Sequence, residues 1–234
     1  MELSRRLQAI ADEVSKGSAI ADIGTDHGYV PIYLYKKNQI TKGIAMDIGK
    51  GPIERAQNNI KAYGAADVIE TRQSDGVSKL KVGEVDTLII AGMGGLLICK
   101  ILERRPDILL TIDRLILQPQ RDEEILRHFL HASGFRIIKE QILKEEGHFY
   151  VIITAIPGKE QYKHNVEYLF GKLLIDEKNP ILKEYISYKL EEYDKILHNL
   201  SNQKTPRAEE RKIEVQQERG MYKEALQWFL LEYN

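Results

Sequence analysis

The sequence predicts an α/β protein in which a doubly wound, mostly parallel sheet of seven strands precedes a C-terminal helical hairpin. In the first 158 residues, short runs rich in β-branched residues alternate with helical stretches, and after residue 158 the strand pattern ends. Because a helical stretch separates most neighbouring runs, the strands should be mainly parallel. The runs that predict strands are residues 19–23, 43–47, 68–73, 87–91, 115–118, 137–143 and 150–156.

The last two predicted strands are separated only by residues 144–148. That connection is too short for a crossover helix, so these strands should form an antiparallel hairpin at the edge of the sheet. In the tail, Asn179 and Pro180 predict a helix start, and residues 204–206 predict a break before a second helix over 207–231. Apolar side chains repeat close to a heptad at Leu182, Ile186, Leu190, Tyr193, Leu197 and Leu200. We therefore predict two domains, residues 1–158 and a coiled-coil-like helical domain over residues 159–234.

Composition excludes several classes of protein. The formal net charge is −1 and the pI is about 6.6, so the overall charge favours neither nucleic acid nor any other partner. Cys99 is the single cysteine, which excludes an internal disulfide framework and a cysteine-rich zinc site, and we predict no metal. No export signal is visible, and the most apolar stretch, residues 88–98, is well short of the roughly 20 residues of a spanning helix. The expectation is a cytoplasmic protein with no membrane partner.

The most informative motif follows the first predicted strand, where residues 22–29 read Asp-Ile-Gly-Thr-Asp-His-Gly-Tyr before a helix predicted over 31–37. Glycines at a strand-to-helix turn let a ligand approach the backbone and face the helix N-terminus. Asp26 lies in the middle of this turn, where a dinucleotide would place its pyrophosphate. Like charges about 4 Å apart cost on the order of 1–4 kcal/mol. The cationic sulfonium and ammonium groups of S-adenosyl-L-methionine fit this loop better than NAD does.

Two more acids follow the next two predicted strands. Asp47 lies roughly 20 residues beyond the loop, where a carboxylate can accept the ribose hydroxyls. Asp75 follows the third strand, where its carboxylate could accept the adenine amino group. Each acid alone is equally compatible with a helix cap or a turn. Three acids at the carboxyl ends of successive strands favour a nucleoside-bearing cofactor.

These motifs together resemble one known family. The loop at 22–29 is similar to methyltransferase motif I with Asp26 in place of the usual middle glycine. Together with Ala-Gly-Met-Gly-Gly at 91–95, Leu-Gln-Pro-Gln at 117–120 and Glu-Gly-His-Phe-Tyr at 146–150, it resembles the TrmK family. Members of that family methylate N1 of adenine 22 in bacterial transfer RNA. The resemblance implies a Rossmann-like class I methyltransferase domain, a seven-stranded sheet with an antiparallel edge hairpin, and a tRNA partner.

The predicted S-adenosyl-L-methionine site surrounds the carboxyl ends of the first four strands. We predict that the cofactor is held by Asp22, Gly24, Thr25, Asp26, His27, Gly28, Asp47, Ile48, Asp75, Gly76, Ala91, Gly92 and Met93.

The predicted catalytic residues are Asp26, His27 and Met93. Many enzymes that methylate exocyclic amines carry an Asn/Asp-Pro-Pro-aromatic loop, whereas residues 91–95 offer no side-chain acceptor except the Met93 thioether. A ring nitrogen with an in-plane lone pair needs alignment more than deprotonation, which favours adenine N1. Asp26 would stabilise the cationic product base, and His27 would shuttle a proton of the exocyclic amine. Cys99, the nucleophile that a C5-pyrimidine mechanism would need, is expected to pack in the core.

The RNA would need a base pocket and cations for its phosphates. The predicted substrate residues are Tyr29, Gly94, Gly95, Gln118, Gln120, Arg5, Arg121 and Tyr150. The glycine backbone lets the flat base approach, the two glutamines read its edge or cap strand ends, and the tyrosines stack. Further candidate cations are Arg6, Lys36, Lys37, Arg104, Arg105, Arg114 and Arg127. The charge-balanced tail could grip RNA, dimerise or brace the domain, and the resemblance favours RNA, with a monomer slightly favoured over an oligomer.

Three alternatives to this function remain open. A methyltransferase acting on a small molecule or a protein explains the cofactor loop equally well. A nicotinamide-dependent oxidoreductase is disfavoured by Asp26. A non-catalytic scaffold would use the tail helices for partners.

Overall fold

The structure is a computed structural model, which describes residues 1–203 and 205–230. The chain divides into two compact units, the first spanning Met1–Gln161 and the second beginning at Tyr162. The domain assignment with a boundary at residue 158 stays a prediction. Lys204 in the predicted break and residues 231–234 of the predicted tail lie outside the described residues.

The first unit is built on a seven-stranded sheet with the strand order β3-β2-β1-β4-β5-β7-β6. Strands β1 to β5 pair in parallel, whereas β7 is antiparallel to both β5 and β6. This confirms the predicted fold class and its antiparallel edge hairpin. The strands are β1 (Ser18–Ile23), β2 (Ile40–Asp47), β3 (Ile69–Gln73), β4 (Thr87–Met93), β5 (Arg114–Pro119), β6 (Phe135–Glu145) and β7 (His148–Pro157).

Six helices accompany this sheet in the described part of the first unit. The first begins at the N-cap Ser4, whose side chain accepts a hydrogen bond from Leu7 N. The helices are α1 (Arg5–Asp12), α2 (Tyr29–Lys36), α3 (Lys50–Ala62), α4 (Gly95–Glu103), α5 (Pro106–Leu109) and α6 (Glu123–Ala132).

The central strands are buried because helices cover a parallel sheet on its faces. Leu88, Ile89 and Ile90 in β4 are fully buried, as are Ile20 and Ala21 in β1. Their continuous apolar runs are therefore typical of central parallel strands. The strand order reverses direction between β1 and β4, and ligands of such sheets bind beyond the carboxyl ends at this point.

The hairpin of β6 and β7 turns through two residues, Glu146 and Gly147, both with positive φ (50° and 81°). Two residues with positive φ are what a type I′ hairpin turn requires, and glycine adopts this conformation without strain. The connection is therefore shorter than the five residues predicted at 144–148, because the strands extend to Glu145 and His148.

The second unit is helical, with α7 (Asn165–Phe170), α8 (Lys172–Asp176), α9 (Pro180–Ser201) and α10 (Pro206–Leu230). Asn179 caps α9 by accepting hydrogen bonds from two backbone amides. Tyr185 in α9 lies beside Tyr222 in α10, and Asp194 lies beside Arg219, so the two long helices are antiparallel. The helical C-terminal region is confirmed, and its coiled-coil winding stays a prediction. No helix within residues 1–203 and 205–230 is long and apolar enough to cross a membrane.

Candidate active site

The loop between β1 and α2 opens toward the point where the strand order reverses. Gly24 and Gly28 both have positive φ (81° and 68°), which glycine alone adopts without strain. The backbone amides of Gly24 and Thr25 donate to Met46 O, at 2.7 and 2.9 Å, and so fasten the loop to β2. Gly28 is the N-cap residue of α2. The loop therefore has the backbone geometry of a ligand-binding strand-to-helix turn.

Asp22, at the carboxyl end of β1, is a buried carboxylate. Burial raises its pKa from 3.8 to about 6, a hydrogen bond with the Thr25 side chain opposes this shift, and the charge of nearby Asp47 adds to it. No lysine or arginine within residues 1–203 and 205–230 pairs with Asp22. A carboxylate in this environment is stabilised by a bound cation, and a shifted pKa in a cleft indicates a functional site.

Asp47 ends β2, and its Oδ1 accepts a hydrogen bond from Gly49 N at 2.6 Å. The next residue, Ile48, is 65% exposed, and Gln73 Nε2 donates to its carbonyl oxygen at 2.9 Å. The acid predicted to hold a ribose and an exposed apolar side chain therefore lie side by side beyond β2. This is the arrangement that a nucleoside needs.

The other two predicted acids are neutralised by arginines. Asp26 pairs with Arg55 of α3 and also lies 3.1 Å from His27 Nε2, and Asp75 pairs with Arg104. All of these side chains are exposed, so the ion pairs contribute about 0–1 kcal/mol each and a ligand can displace them. Arg104, a predicted RNA cation, is thus engaged with a cofactor-site acid. Gly76 must be a glycine, since a Cβ there would lie 2.8 Å from Ile101.

Met93 brings the loop after β4 onto the loop after β1. A Cβ on Gly24 would meet the methyl carbon of Met93, so the end of this flexible side chain lies directly against Gly24. The Met93 thioether therefore lies over the loop after β1, and its place in the cofactor site stays a prediction. Its catalytic role stays a prediction.

The Gln118 side chain is buried beneath the loop after β4 and holds that loop by hydrogen bonds. Its side chain is fully buried, and Oε1 accepts hydrogen bonds from Gly92 N at 3.2 Å and from Arg6 Nη1 at 2.7 Å. Its Nε2 donates to Pro119 O at 2.7 Å. This burial argues against the predicted reading of a base edge by Gln118. It indicates that Gln118 positions Gly92, which has a φ of 76° at a break in the pairing of β4 with β5.

Gly94 and Gly95 start α4 against the loop after β5. Gly95 N donates to Arg121 O at 2.8 Å, and a Cβ on Gly95 would lie 2.4 Å from Asp122 O, so glycine is required there. Ala91, the residue before Gly92, is the last β4 residue in regular register with β5. The exposed Gln120 lies beside Gly92 and stays the candidate for reading a base edge.

Aromatic side chains lie beside both loops, the one after β1 and the one after β4. The His27 and Tyr29 rings stack at 4.9 Å with an interplanar angle of 9°, and Tyr29 is 40% exposed. On the other side, the Arg6 guanidinium lies 5.5 Å from the centre of the Tyr150 ring. The two predicted stacking tyrosines therefore border the site. Arg5 is exposed on the first turn of α1.

Two predicted RNA cations have other roles in the structure. Arg127 is buried and donates to Glu140 at 2.8 Å, so it cannot contact RNA. Arg105 pairs with Asp107 and donates to backbone carbonyls. The predicted packing role of Cys99, in contrast, agrees with the structure, because its thiol is buried and burial raises its pKa to about 11.

Sequence reasoning named Arg6 only as an RNA cation and missed its contact with Gln118, and it missed the pairing of Arg55 with Asp26. Arg6 is 112 positions from Gln118, and Arg55 is 29 positions from Asp26. No local pattern signals such contacts. No cluster of three or more potential His, Cys, Asp or Glu metal ligands occurs within residues 1–203 and 205–230.

A sequence model of the TrmK family, described as tRNA (adenine(22)-N(1))-methyltransferase, matches residues 20–220 of this chain. The chain belongs to this family. A tRNA (adenine(22)-N(1))-methyltransferase of Bacillus subtilis is 34% identical over 206 residues, which cover 86% of this chain and 87% of the relative.

Solved structures of similar chains contain the methyl donor or its product. A Streptococcus pneumoniae protein crystallised with S-adenosyl-L-methionine is 33% identical, with a TM-score of 0.87 over 96% of this chain and 100% of that chain. TrmK of M. capricolum, in complex with S-adenosyl-homocysteine, is 28% identical, with a TM-score of 0.85 over 98% of this chain and all of that one. Both similarities extend over nearly the whole of this chain, and therefore over most of its C-terminal helical part.

Proposed function

We propose that this protein transfers the methyl group of S-adenosyl-L-methionine to N1 of adenine 22 in transfer RNA. The observation that carries the proposal is the pair of acids, Asp22 and Asp47, beside a glycine turn at the carboxyl ends of β1 and β2. Family membership supplies the substrate and the position of the adenine.

The residues present fit the methyl donor. Asp22 is a buried carboxylate whose pKa is raised chiefly by burial, and the donor carries two cationic groups. Asp47 offers a carboxylate for ribose hydroxyls, and exposed Ile48 offers an apolar surface for the adenine ring. When bound, S-adenosyl-L-methionine supplies an electrophilic methyl group.

The protein's own contribution to the reaction is alignment and electrostatics. Adenine N1 already has an in-plane lone pair, so no side chain has to remove a proton before attack. Gln118 and Arg6 fix the Gly92 loop, which lets a flat base approach the backbone. Methyl transfer moves the positive charge from the sulfonium of the donor to the adenine, so an acid that lies closer to the base than to the sulfonium favours the transition state over the ground state. Asp26 is the candidate for this role, with Arg55 compensating part of its charge in the absence of RNA.

His27 has a narrower role in this proposal. Its Nε2 lies 3.1 Å from Asp26, and its ring is stacked on Tyr29. These contacts hold the imidazole at the rim of the loop, where it can accept a proton from the exocyclic amine of a bound adenine.

The test is methyl transfer from labelled S-adenosyl-L-methionine to unmodified bacterial tRNA, followed by digestion to nucleosides. We expect N1-methyladenosine, lost when adenine 22 is changed to guanine and lost in Asp47→Ala. Exposed Asp67 provides a matched control, since Asp67→Ala removes a carboxylate outside the site. Donor binding without transfer to any RNA would refute the substrate and favour a small-molecule or protein methyltransferase.

We further propose that the protein acts as a monomer in the cytoplasm. The second statement follows from the proposed substrate, because the tRNA of a bacterial cell is cytoplasmic. Light scattering of the purified protein at micromolar concentration tests the first statement, and a molar mass near 54 kDa, twice the 26.9 kDa of the chain, would contradict it.

A further inference from the structure

The tip of the β6–β7 hairpin, residues 143–150, projects beyond the carboxyl edge of the sheet. Leu117 of β5 pairs with Ile153 of β7, and β5 ends only two residues later. Because β7 begins at His148, the tip extends past the end of β5 by about three residues, or roughly 10 Å. The hairpin tip therefore stands beside the loops that form the active site.

The first turn of α1 is fastened to the hairpin tip. The Glu145 carboxylate accepts hydrogen bonds from Arg5 N at 2.7 Å and from Arg6 N at 3.3 Å. The first amides of a helix have no partner within the helix and carry partial positive charge, so this carboxylate is compensated by the helix. Arg5 Nη1 also donates to Lys144 O at 3.4 Å. The side chains of Arg5 and Arg6 are thus held at the tip.

Cation–aromatic pairs occur on both faces of the hairpin tip, since Phe149 and Tyr150 are neighbours in β7 and point to opposite faces. The Arg6 guanidinium lies 5.5 Å from the Tyr150 ring centre, and Lys144 Nζ lies 5.1 Å from that of Phe149. His148 is exposed, with its ring 6.4 Å from Tyr150. Phosphates are bound by cations and unpaired bases by aromatic faces, so each face of the tip offers groups that bind a single nucleic-acid strand.

The surface is continuous with the catalytic loop through Arg6. Its Nη1 donates to the buried Gln118 and lies 3.9 Å from the place of a Cβ on Gly92. A strand lying along the hairpin tip would therefore have its next nucleotide at the Gly92 loop. The other acid of the tip, Glu146, is exposed at the turn. Unlike Glu145, it does not accept hydrogen bonds from the first amides of α1.

We propose that the hairpin tip and the first turn of α1 hold the RNA strand that flanks the target adenine. Arg5 and Lys144 contact its phosphates, and Arg6 joins this surface to the Gly92 loop. The inference rests on the proposed function, because it requires an RNA substrate.

The test compares two double variants of the full-length protein. Arg5→Ala with Lys144→Ala removes two cations of the tip and leaves the backbone hydrogen bonds to Glu145 in place. Lys16→Ala with Lys81→Ala is the matched control, because both are exposed cations that precede strands, Lys16 before β1 and Lys81 before β4, at the opposite edge of the sheet. The measurements are donor affinity by calorimetry and KM for tRNA between about 50 and 200 mM salt, a range over which phosphate contacts lose affinity steeply.

The tip variant should raise KM for tRNA about tenfold. The slope of log KM against log salt concentration should be smaller by about 1.5, since each of the two lost phosphate contacts contributes about 0.7–0.9 to that slope. Donor affinity and kcat should stay within about twofold, and the control variant should match the wild type. An unchanged KM in the tip variant, or an equal rise in the control, would overturn the proposal.

Anisotropy of labelled tRNA without the methyl donor separates this inference from the proposed function. If the wild type binds tRNA but does not methylate it, the proposed function fails, and the affinities of the two double variants still decide the role of the tip. If the wild type binds no tRNA, both proposals fail.

Discussion

Replacing Asp22 with asparagine should make the protein more stable and its cofactor site weaker. Burial raises the pKa of Asp22 from 3.8 to about 6, so the folded state binds this proton more tightly than the unfolded chain does. The carboxylate therefore costs nothing below pH 3.8, and its cost grows as the pH rises to about 6. At about 1.4 kcal/mol per pKa unit, the full cost at pH 7.5 is about 3 kcal/mol.

Asp22→Asn keeps an acceptor oxygen for Thr25 and removes the charge. We expect its free energy of unfolding at pH 7.5 to exceed that of the wild type by up to about 3 kcal/mol, falling to about 1.5 kcal/mol at pH 5. Urea denaturation of the ligand-free protein at the two pH values measures this difference. Asp67→Asn, at an exposed position, is the control and should change little at either pH.

Asp22→Asn should weaken binding of the methyl donor, although it should stabilise the ligand-free protein. A cation beside Asp22 favours the carboxylate, so protonation competes with the donor and the wild-type affinity should fall as the pH drops below about 6. Asp22→Asn should bind more weakly at pH 7.5 and lose this pH dependence, as measured by calorimetry. A stability gain independent of pH, or an unchanged affinity, would refute the assignment of Asp22 as a cation-recognising acid.

Three other substitutions test the supports of the site. Gly95→Ala should lower Tm and methyl transfer, because its Cβ would lie 2.4 Å from Asp122 O and the α4 start must shift. Gln118→Leu should lower the free energy of unfolding by about 1–3 kcal/mol, measured by calorimetry, and should lower kcat, because Arg6 and Gly92 N lose their buried acceptor. Gln118→Glu keeps an acceptor and should lose less stability and activity. Arg127→Met should lower the free energy of unfolding by about 3–5 kcal/mol in urea denaturation, because Glu140 stays buried without its arginine. Adding Glu140→Leu should restore most of the lost stability. Additive losses in the double variant would contradict this reasoning.

Much of the fold follows from the sequence because it depends on local patterns. The β-branched runs predicted all seven strands within a few residues, and the short connection at 144–148 predicted the edge hairpin. Helices α7 and α8 were not predicted, since five- and six-residue helices give too few turns for a periodic signal. The start of α9 was predicted correctly because Asn179 and Pro180 are a local capping signal.

The site was predictable only where the backbone itself sets the chemistry. Gly24 and Asp22 belong to one turn, so their spacing alone indicates a ligand loop. The role of Gln118 depends on contacts with Arg6, 112 positions away, and with Gly92. Long-range packing decides whether a glutamine at a strand end faces a substrate or is buried, and a single sequence does not contain that information.

The acids predicted to hold the cofactor differ in one physical respect that their spacing does not reveal. Arg55 and Arg104 neutralise Asp26 and Asp75 in exposed ion pairs, whereas the buried Asp22 carries a penalty that a cation removes. A ligand that displaces an exposed ion pair gains little, because the pair and its replacement are both screened by water. A cation that reaches Asp22 gains the desolvation cost already present in the folded protein. Recognition of the cationic methyl donor should therefore depend most on the acid at the end of β1, and the exposed pairs should mainly shape the rim of the cleft.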